Sequence, residues 1–82
     1  MNINYRLKRD CVSRIATMLA WNLKSLHSAV RIVHNENVIN GKSLIGILNT
    51  YMRAGETITV VVDELEDVDN VKEIFDEFAV LI

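Results

Sequence analysis

Gly41-Lys42-Ser43-Leu44-Ile45-Gly46-Ile47-Leu48 is the stretch that ends a predicted β-hairpin and opens an amphipathic helix. Gly41 closes the extended segment before it. Ser43 is a plausible helix N-cap, because its hydroxyl can accept a hydrogen bond from a backbone N–H two or three residues later. The second amphipathic helix carries its apolar residues at helical spacing: Leu44, Ile47, Leu48 and Tyr51. A phosphate on Ser43 would face unpaired N–H groups and a favourable helix dipole, so the stretch also predicts a site of regulatory modification.

The residues before this stretch predict a strand, a helix and a hairpin. Residues 2–8 alternate polar with apolar side chains, which is the period-two pattern of a strand with one buried face. Ser13 is a plausible N-cap for the helix that follows. The apolar face of that helix consists of Ile15, Ala16, Leu19, Ala20 and Leu23. Residues 29–33 and 37–40 are short extended pieces, and residues 34–36 are predicted to form the turn between them.

The residues after it predict one more strand and one more helix. Gly55 is suited to the left-handed backbone turn that follows a helix, and residues 57–62 carry the strongest strand signal of the chain. The last segment carries an apolar helical stripe at Val68, Val71, Ile74, Phe75, Phe78 and Leu81. The order β-α-β-β-α-β-α predicts an α+β open-faced β-sandwich, in which three helices cover one face of a four-stranded, largely antiparallel sheet. Residues 1–82 contain no linker, repeat or proline and are predicted to form a single domain.

Length and composition restrict the classes of function. Half of the 82 residues are apolar, which suffices for one core but leaves little apolar surface for a deep pocket. No run of about eighteen apolar residues and no apolar N-terminal block is present, so neither a membrane span nor a signal peptide is predicted, and a cytoplasmic location is expected. Cys11 is the only cysteine, and His27 and His34 lack metal-ligand spacing. Neither a disulfide, a metal site nor a cofactor is therefore predicted.

Charge is distributed unevenly along the chain. Residues 1–55 hold eight of the nine basic side chains and two acids, whereas residues 56–82 hold one lysine and nine acids. Such asymmetry can mark a binding face for an acidic partner or a nucleic acid. The basic residues are scattered, however, and the aromatic residues form no stacking motif, so the two halves are expected to interleave, and nucleic-acid binding is not favoured.

The sequence motifs give little support to a catalytic function. Gly41-Lys42-Ser43 resembles the end of a phosphate-binding loop, but Glu36 occupies the position of the glycine that begins such a loop. Cys11 has only Asp10 nearby as a base, which favours an inert thiol over a nucleophile. His27 and His34 are interpreted as solvated or capping residues. The chain is therefore predicted not to be an enzyme.

The whole chain resembles HPr, the small histidine-containing phosphocarrier of the bacterial phosphoenolpyruvate:sugar phosphotransferase system. The strongest local match is Lys42–Leu48 followed by Gly55, which is similar to the regulatory-serine segment of that family. The resemblance implies that Ser43 occupies the position at which a dedicated kinase phosphorylates the family's serine in some bacteria, after which the modified protein binds a transcriptional regulator. It further implies that Leu44 and Leu48 contact protein partners.

The active-site segment departs from the family pattern. The family has glycine, an apolar residue, histidine, alanine, arginine and proline in succession, whereas this chain reads Asp10-Cys11-Val12-Ser13-Arg14-Ile15. Val12 fills the position of the phosphorylated histidine, and its isopropyl group has no lone pair with which to attack a phosphoryl donor. Arg14 retains the family's arginine and is a candidate contact for an acidic partner or a phosphate. Glu64 stands where the family usually places glycine.

The resemblance thus implies a regulatory or partner-binding member of the family, similar in logic to Crh, the regulatory HPr homologue that also lacks the histidine. The alternative is a noncatalytic ligand-binding or self-assembling module that shares only the fold. Ala79-Val80-Leu81-Ile82 is apolar and predicts burial against the core or a second subunit, hence a weak homodimer. An enzyme with Cys11 as its nucleophile is the third hypothesis.

Overall fold

The computed structural model describes all 82 residues as an α+β fold with five strands and three helices. The strands are β1 Asn2–Leu7, β2 Val30–His34, β3 Asn37–Asn40, β4 Thr57–Val62 and β5 Ala79–Leu81. The helices are α1 Ser13–Lys24, α2 Leu44–Thr50 and α3 Val68–Asp76, and a single 3-10 turn, Leu65–Asp67, leads into α3. None of the three helices has the length and the apolar run that a membrane-spanning helix requires.

The strands form one sheet in the order β3-β2-β4-β1-β5, with every neighbouring pair antiparallel. β4 occupies the centre, where Val60 is opposite Ile3 of β1 on one side and Ile32 of β2 on the other. The predicted class, the helices and the antiparallel pairing are confirmed. The sheet has five strands where four were expected, because the last residues of the chain pair with β1.

Burial alternates along the strands, and this alternation places the helices on one face of the sheet. In β1, Ile3, Tyr5 and Leu7 are buried while the residues between them are exposed. These side chains join a core cluster of 21 residues that the helices complete from one side. The Tyr5 ring stacks on Phe75 of α3 with centroids 5.3 Å apart, which fixes α3 over the β1 side of the sheet.

The end of the predicted last helix is wrong. α3 stops at Asp76, and Ala79–Leu81 is strand β5 rather than a further helical turn. Ala79 is buried opposite Leu7, whereas Leu81 is 55% exposed and therefore does not belong to a buried helical stripe. The free backbone edge of β1 and the β-branched side chains of Val80 and Ile82 favour an added strand over a longer helix.

The predicted N-cap of the first helix is also wrong. Val12 is the N-cap residue of α1, with extended backbone angles and no side-chain hydrogen bond to the helix. Ser13 is the first helical residue and has a φ of +49°, in the left-handed region that non-glycine residues rarely occupy. Its hydroxyl caps nothing, and its carbonyl accepts a hydrogen bond from Thr17 Oγ1 at 3.0 Å.

The hairpin turn is shorter than predicted. His34 is the last residue of β2, pairs with Asn37, and is buried rather than solvated. The loop therefore consists of Asn35 and Glu36 alone. Such a two-residue loop requires a left-handed backbone conformation, which asparagine tolerates, and Asn35 adopts it with a φ of +56°. His27 is exposed, as predicted.

α2 ends earlier than predicted. Tyr51, with a φ of +52°, is the left-handed residue that follows the helix, whereas Gly55, with a φ of +89°, lies in the turn that leads into β4. The N–H of Gly55 donates to the carbonyl of Leu7 at 2.8 Å. Gly55 therefore shapes the entry to the sheet instead of the end of the helix.

A buried carboxylate braces the loop between α1 and β2. Asp67 is 6% exposed, and its Oδ2 accepts the backbone N–H of Ser28 at 2.8 Å. Ser28 Oγ in turn accepts the backbone N–H of Glu64 at 2.9 Å. The two bonds hold the segment before α3 against the segment before β2, and they satisfy polar groups that burial would otherwise leave unpaired.

Asp67→Ala is expected to lower the free energy of unfolding by about 1–3 kcal/mol, because the buried Ser28 N–H loses its acceptor. Glu73→Ala, which removes an exposed carboxylate from α3, serves as the control and is expected to change stability by less than about 0.5 kcal/mol. Urea unfolding followed by circular dichroism measures both. Equal stability of the two variants would contradict the bracing role of Asp67.

Candidate functional site

Ser43 caps α2, as the sequence predicted. Its Oγ accepts the backbone N–H of Gly46 at 3.1 Å, and its carbonyl accepts the N–H of Ile47 at 3.0 Å. Ser43 is half-buried, and its hydroxyl donates no hydrogen bond within the protein. The side chain thus stands at the surface, at the end of a helix where backbone N–H groups favour negative charge.

The turn that presents Ser43 is held by close packing at Gly41. A Cβ added there would lie 3.0 Å from both Leu23 Cδ1 and the Val30 carbonyl oxygen, so only glycine fits without a shift. The N–H of Gly41 donates to the same Val30 oxygen at 2.7 Å. Lys42 adds a tether, since its Nζ donates to the carbonyl of Leu26 at 2.6 Å. β2 and the residues after α1 therefore fix the position of Ser43.

The two leucines predicted to contact partners differ in exposure. Leu44 is half-buried and packs against the core, whereas Leu48 is 38% exposed. Ile45, which falls outside the predicted apolar stripe of α2, is the most exposed apolar side chain of that helix at 71%. Two further exposed apolar residues, Met18 and Trp21, lie off the buried face of α1. Their position off the stripe is a signal that the sequence already contained and that the prediction missed.

Val12 and Arg14 stand on either side of Ser13 at the start of α1. Val12 is half-buried, and Arg14 is exposed and forms no salt bridge. A surface cleft of about 390 Å³ lies beside them and is lined by Arg9, Arg14, Ile15, Met18, Glu77 and Phe78. Neither arginine of this cleft has an acidic partner within salt-bridge distance, so both guanidinium groups are available to an anion or an acidic side chain.

Cys11 directly precedes Val12 in the sequence, but its thiol is not at the surface. The residue is completely buried, and its N–H donates to the carbonyl of Met52 at 2.8 Å. Burial, with a smaller contribution from the Asp10 carboxylate, raises the pKa of the thiol to about 11. The thiol is therefore protonated at neutral pH, which supports the inert interpretation.

The one buried histidine faces a carboxylate. His34 Nε2 lies 3.2 Å from Glu56 Oε1, where β2 ends beside the residue that precedes β4. Glu56 Oε1 also accepts the backbone N–H of Arg53 at 2.7 Å, and the N–H of Glu56 donates back to the Arg53 carbonyl. The hydrogen bond from the Arg53 N–H, followed by the neighbouring His34, holds the pKa of Glu56 below its ordinary value. The two hydrogen bonds between Arg53 and Glu56 close the α2–β4 turn, and the buried His34 offers no exposed imidazole.

These observations define a small open-faced α+β sandwich that presents a capping serine at the start of α2 and an unpaired arginine at the start of α1. The family model described as "PTS HPr component phosphorylation site" matches residues 3–79. The chain therefore belongs to the HPr family of the phosphotransferase system. No curated protein sequence matches it.

Solved structures show the same fold. A phosphocarrier protein HPr from Bacillus anthracis has a TM-score of 0.80 at 18% identity, over 95% of this chain and 93% of that one. HPr-C-His from Thermoanaerobacter tengcongensis has a TM-score of 0.77 at 17% identity, over 93% of this chain and 85% of that one. A histidine-containing phosphocarrier protein of Mycoplasma has a TM-score of 0.76 at 23% identity, over 94% of this chain and 91% of that one.

Glu56→Gln is expected to lower the melting temperature at neutral pH. The variant loses the negative charge that strengthens the hydrogen bond from the Arg53 N–H and the contact with His34. A carboxylate with a lowered pKa stabilises the fold above its ordinary pKa, near 4.5, and this contribution is lost as pH falls through the lowered value. The difference between wild type and variant should therefore narrow below pH 4.5. Thermal unfolding across pH measures this difference, with Glu36→Gln in the exposed hairpin loop as the control. A difference that does not vary with pH would contradict the role given to Glu56.

Proposed function

We propose that this chain is a regulatory, partner-binding protein related to the bacterial sugar phosphotransferase system and that it does not carry a phosphoryl group at Val12. The observation that carries the proposal is the apolar Val12 at the N-terminus of α1, the position that the resemblance gives to the phosphorylated histidine. A phosphoryl acceptor needs a lone pair, and an isopropyl group has none.

Neither histidine of the chain replaces the missing group. His27 follows the C-terminal end of α1, and a helix of 12 residues separates its two ends by about 18 Å. His34 is buried with 6% of its side chain exposed, and it faces Glu56. An imidazole at the start of α1 is thus lacking, while Arg14 of the same turn is present and unpaired.

Ser43 is the proposed switch. Ser43 is only half-buried, and the Gly46 N–H that its hydroxyl accepts can donate to a phosphate oxygen instead. A phosphate would add nearly two negative charges at the N-terminus of α2, the helix that also carries the exposed apolar side chains of Ile45 and Leu48. The modification would therefore add a strong anion to a helix that is uncharged, which changes the partners that the helix fits.

The proposed partners are proteins. An HPr kinase would recognise the unmodified α2 surface, and a transcriptional regulator would recognise the modified one, with Arg14, Leu44 and Leu48 as candidate contacts. The same proposal includes a cytoplasmic location. It also holds that the protein has no enzymatic activity, needs no cofactor and does not bind nucleic acid. The second candidate, a self-assembling module, is supported by the exposed side chains of Val80, Leu81 and Ile82.

Incubation with an HPr kinase and ATP is expected to add the mass of one phosphoryl group to the wild type and none to Ser43→Ala. The phosphoenolpyruvate-dependent enzyme of the phosphotransferase system is expected to add none to either protein. Intact-mass spectrometry reads both reactions. Ser13→Ala is the matched control, since Ser13 is an exposed serine at the start of α1 and should not affect the kinase reaction.

Phosphate transferred from phosphoenolpyruvate to the wild type would contradict the loss of carrier function. The absence of phosphate from both reactions would remove Ser43 as a switch and favour the self-assembling module. Phosphate that the kinase still adds to Ser43→Ala would move the modification to another residue.

Leu48→Ala is expected to lower kcat/KM of the kinase reaction at Ser43 by roughly tenfold, because truncation removes apolar area from the proposed docking surface. Leu65→Ala is the control, since Leu65 is 76% exposed in the 3-10 turn, away from α2. Initial rates over a range of substrate concentrations give the comparison. Equal losses in both variants would argue against a docking role for Leu48.

A further inference from the structure

The outer edge of β5 carries backbone hydrogen-bonding groups without a partner. The N–H of Ile82 donates to the Asn4 carbonyl, and the carbonyl of Phe78 accepts the N–H of Lys8, so alternate residues of this segment point their polar groups inward at β1. In an antiparallel pair the residues between them point their N–H and C=O groups the other way. Those residues are Ala79 and Leu81, and no strand follows β5 in the sheet.

No feature of β5 protects its outer edge from pairing with another strand. Exposed edge strands are normally protected by charged side chains, proline, a bulge or a covering segment. Residues 79–82 contain no charged side chain, no proline and no glycine, and Val80, Leu81 and Ile82 are 52%, 55% and 54% exposed. The opposite edge differs, because the backbone carbonyl of Asn40 in β3 is occupied by the N–H of Ser43.

We propose that β5 pairs antiparallel with β5 of a second copy of this chain. The free groups lie on Ala79 and Leu81, one on each side of Val80, and this arrangement is self-complementary about a two-fold axis through Val80. Ala79 of each copy then faces Leu81 of the other, and each such pair exchanges both of its N–H···O bonds. The two sheets become one continuous sheet, and the interface is isologous.

The side chains fit this register. Leu81 pairs with the buried Tyr5 and therefore lies on the helix-covered side of the sheet, whereas Val80 pairs with the exposed Arg6 and lies on the open side. Across the seam, Leu81 of one copy packs beside Ala79 of the other on the helix side. The two Val80 side chains meet on the open side as a non-hydrogen-bonded pair, with Cα atoms about 4.5 Å apart.

Charge does not oppose the pairing. The nearest charged side chain in the same row of the open face is Arg6. Three strand spacings separate the two Arg6 residues across the seam, about 14 Å. This distance exceeds the screening length of about 8 Å at physiological ionic strength. An uncharged apolar seam has no charges to match and fits an identical strand, while its small area makes the dimer weak and dependent on concentration.

Val80→Cys tests the two-fold register directly. A Cα separation near 4.5 Å lies within the range that a disulfide spans, so mild oxidation is expected to give a covalent dimer. Val38→Cys is the matched control, because Val38 is 66% exposed on the other edge strand, β3, and is outside the proposed seam. The wild type should stay monomeric on denaturing gels, since its only thiol, Cys11, is buried. Equal cross-linking of both variants would overturn the proposed register.

Leu81→Pro tests the hydrogen bonds without a covalent link. The Leu81 N–H points away from β1, so proline at this edge position removes an intermolecular donor and leaves the β1–β5 bonds intact. Sedimentation equilibrium is expected to show association of the wild type at high micromolar concentration and a monomeric Leu81→Pro with an unchanged circular dichroism spectrum. A wild type that stays monomeric throughout would overturn the pairing. So would a Leu81→Pro variant that is folded and associates equally well. Both tests are independent of Ser43.

Discussion

β4 pairs with β1 on one side and with β2 on the other, and these two pairings hold the sheet together. β4 is hydrogen-bonded to β1 over residues 57–61 and to β2 over residues 59–62, so it joins the first strand of the chain to the hairpin. Its buried residues Ile58, Val60 and Val62 project onto the face that the helices cover. A one-residue slip of this strand would turn all three toward solvent, so the apolar alternation of β4 fixes the register of both neighbours.

The candidate site follows from this arrangement through the backbone. β2 is held in register by β4, and the carbonyl of Val30 at its start receives the N–H of Gly41. The close approach of Gly41 to Leu23 then sets where the chain turns into α2 and where Ser43 stands. The capping serine is thus positioned by sheet pairing and by α1, and the seven residues of α2 alone would not hold it.

Patterns of period two and of helical spacing predicted the class, the helices, the hairpin and the span of β4, because these elements bury one face and the apolar residues must recur on it. Local chemistry at the ends of elements was predicted less well. Ser43 caps α2 as expected, whereas Ser13 does not cap α1. β5 was mistaken for helix because its pairing partner, β1, lies more than seventy residues earlier, and no local pattern reports a free edge at that distance. The exposure of Ile45 and Trp21 depends on which face of each helix packs against the core. The apolar stripes indicate this face only indirectly.

The position of β1 between β4 and β5 has a consequence for how the protein is made. β1 is synthesised before the other four strands, yet both of its neighbours in the sheet come from residues 57–62 and 79–81. An emerging chain therefore carries a strand with two open edges until β4 has left the ribosome, and β2 and β3 are the only strands that can pair before then. Closure of the sheet around β1 is a late event of synthesis.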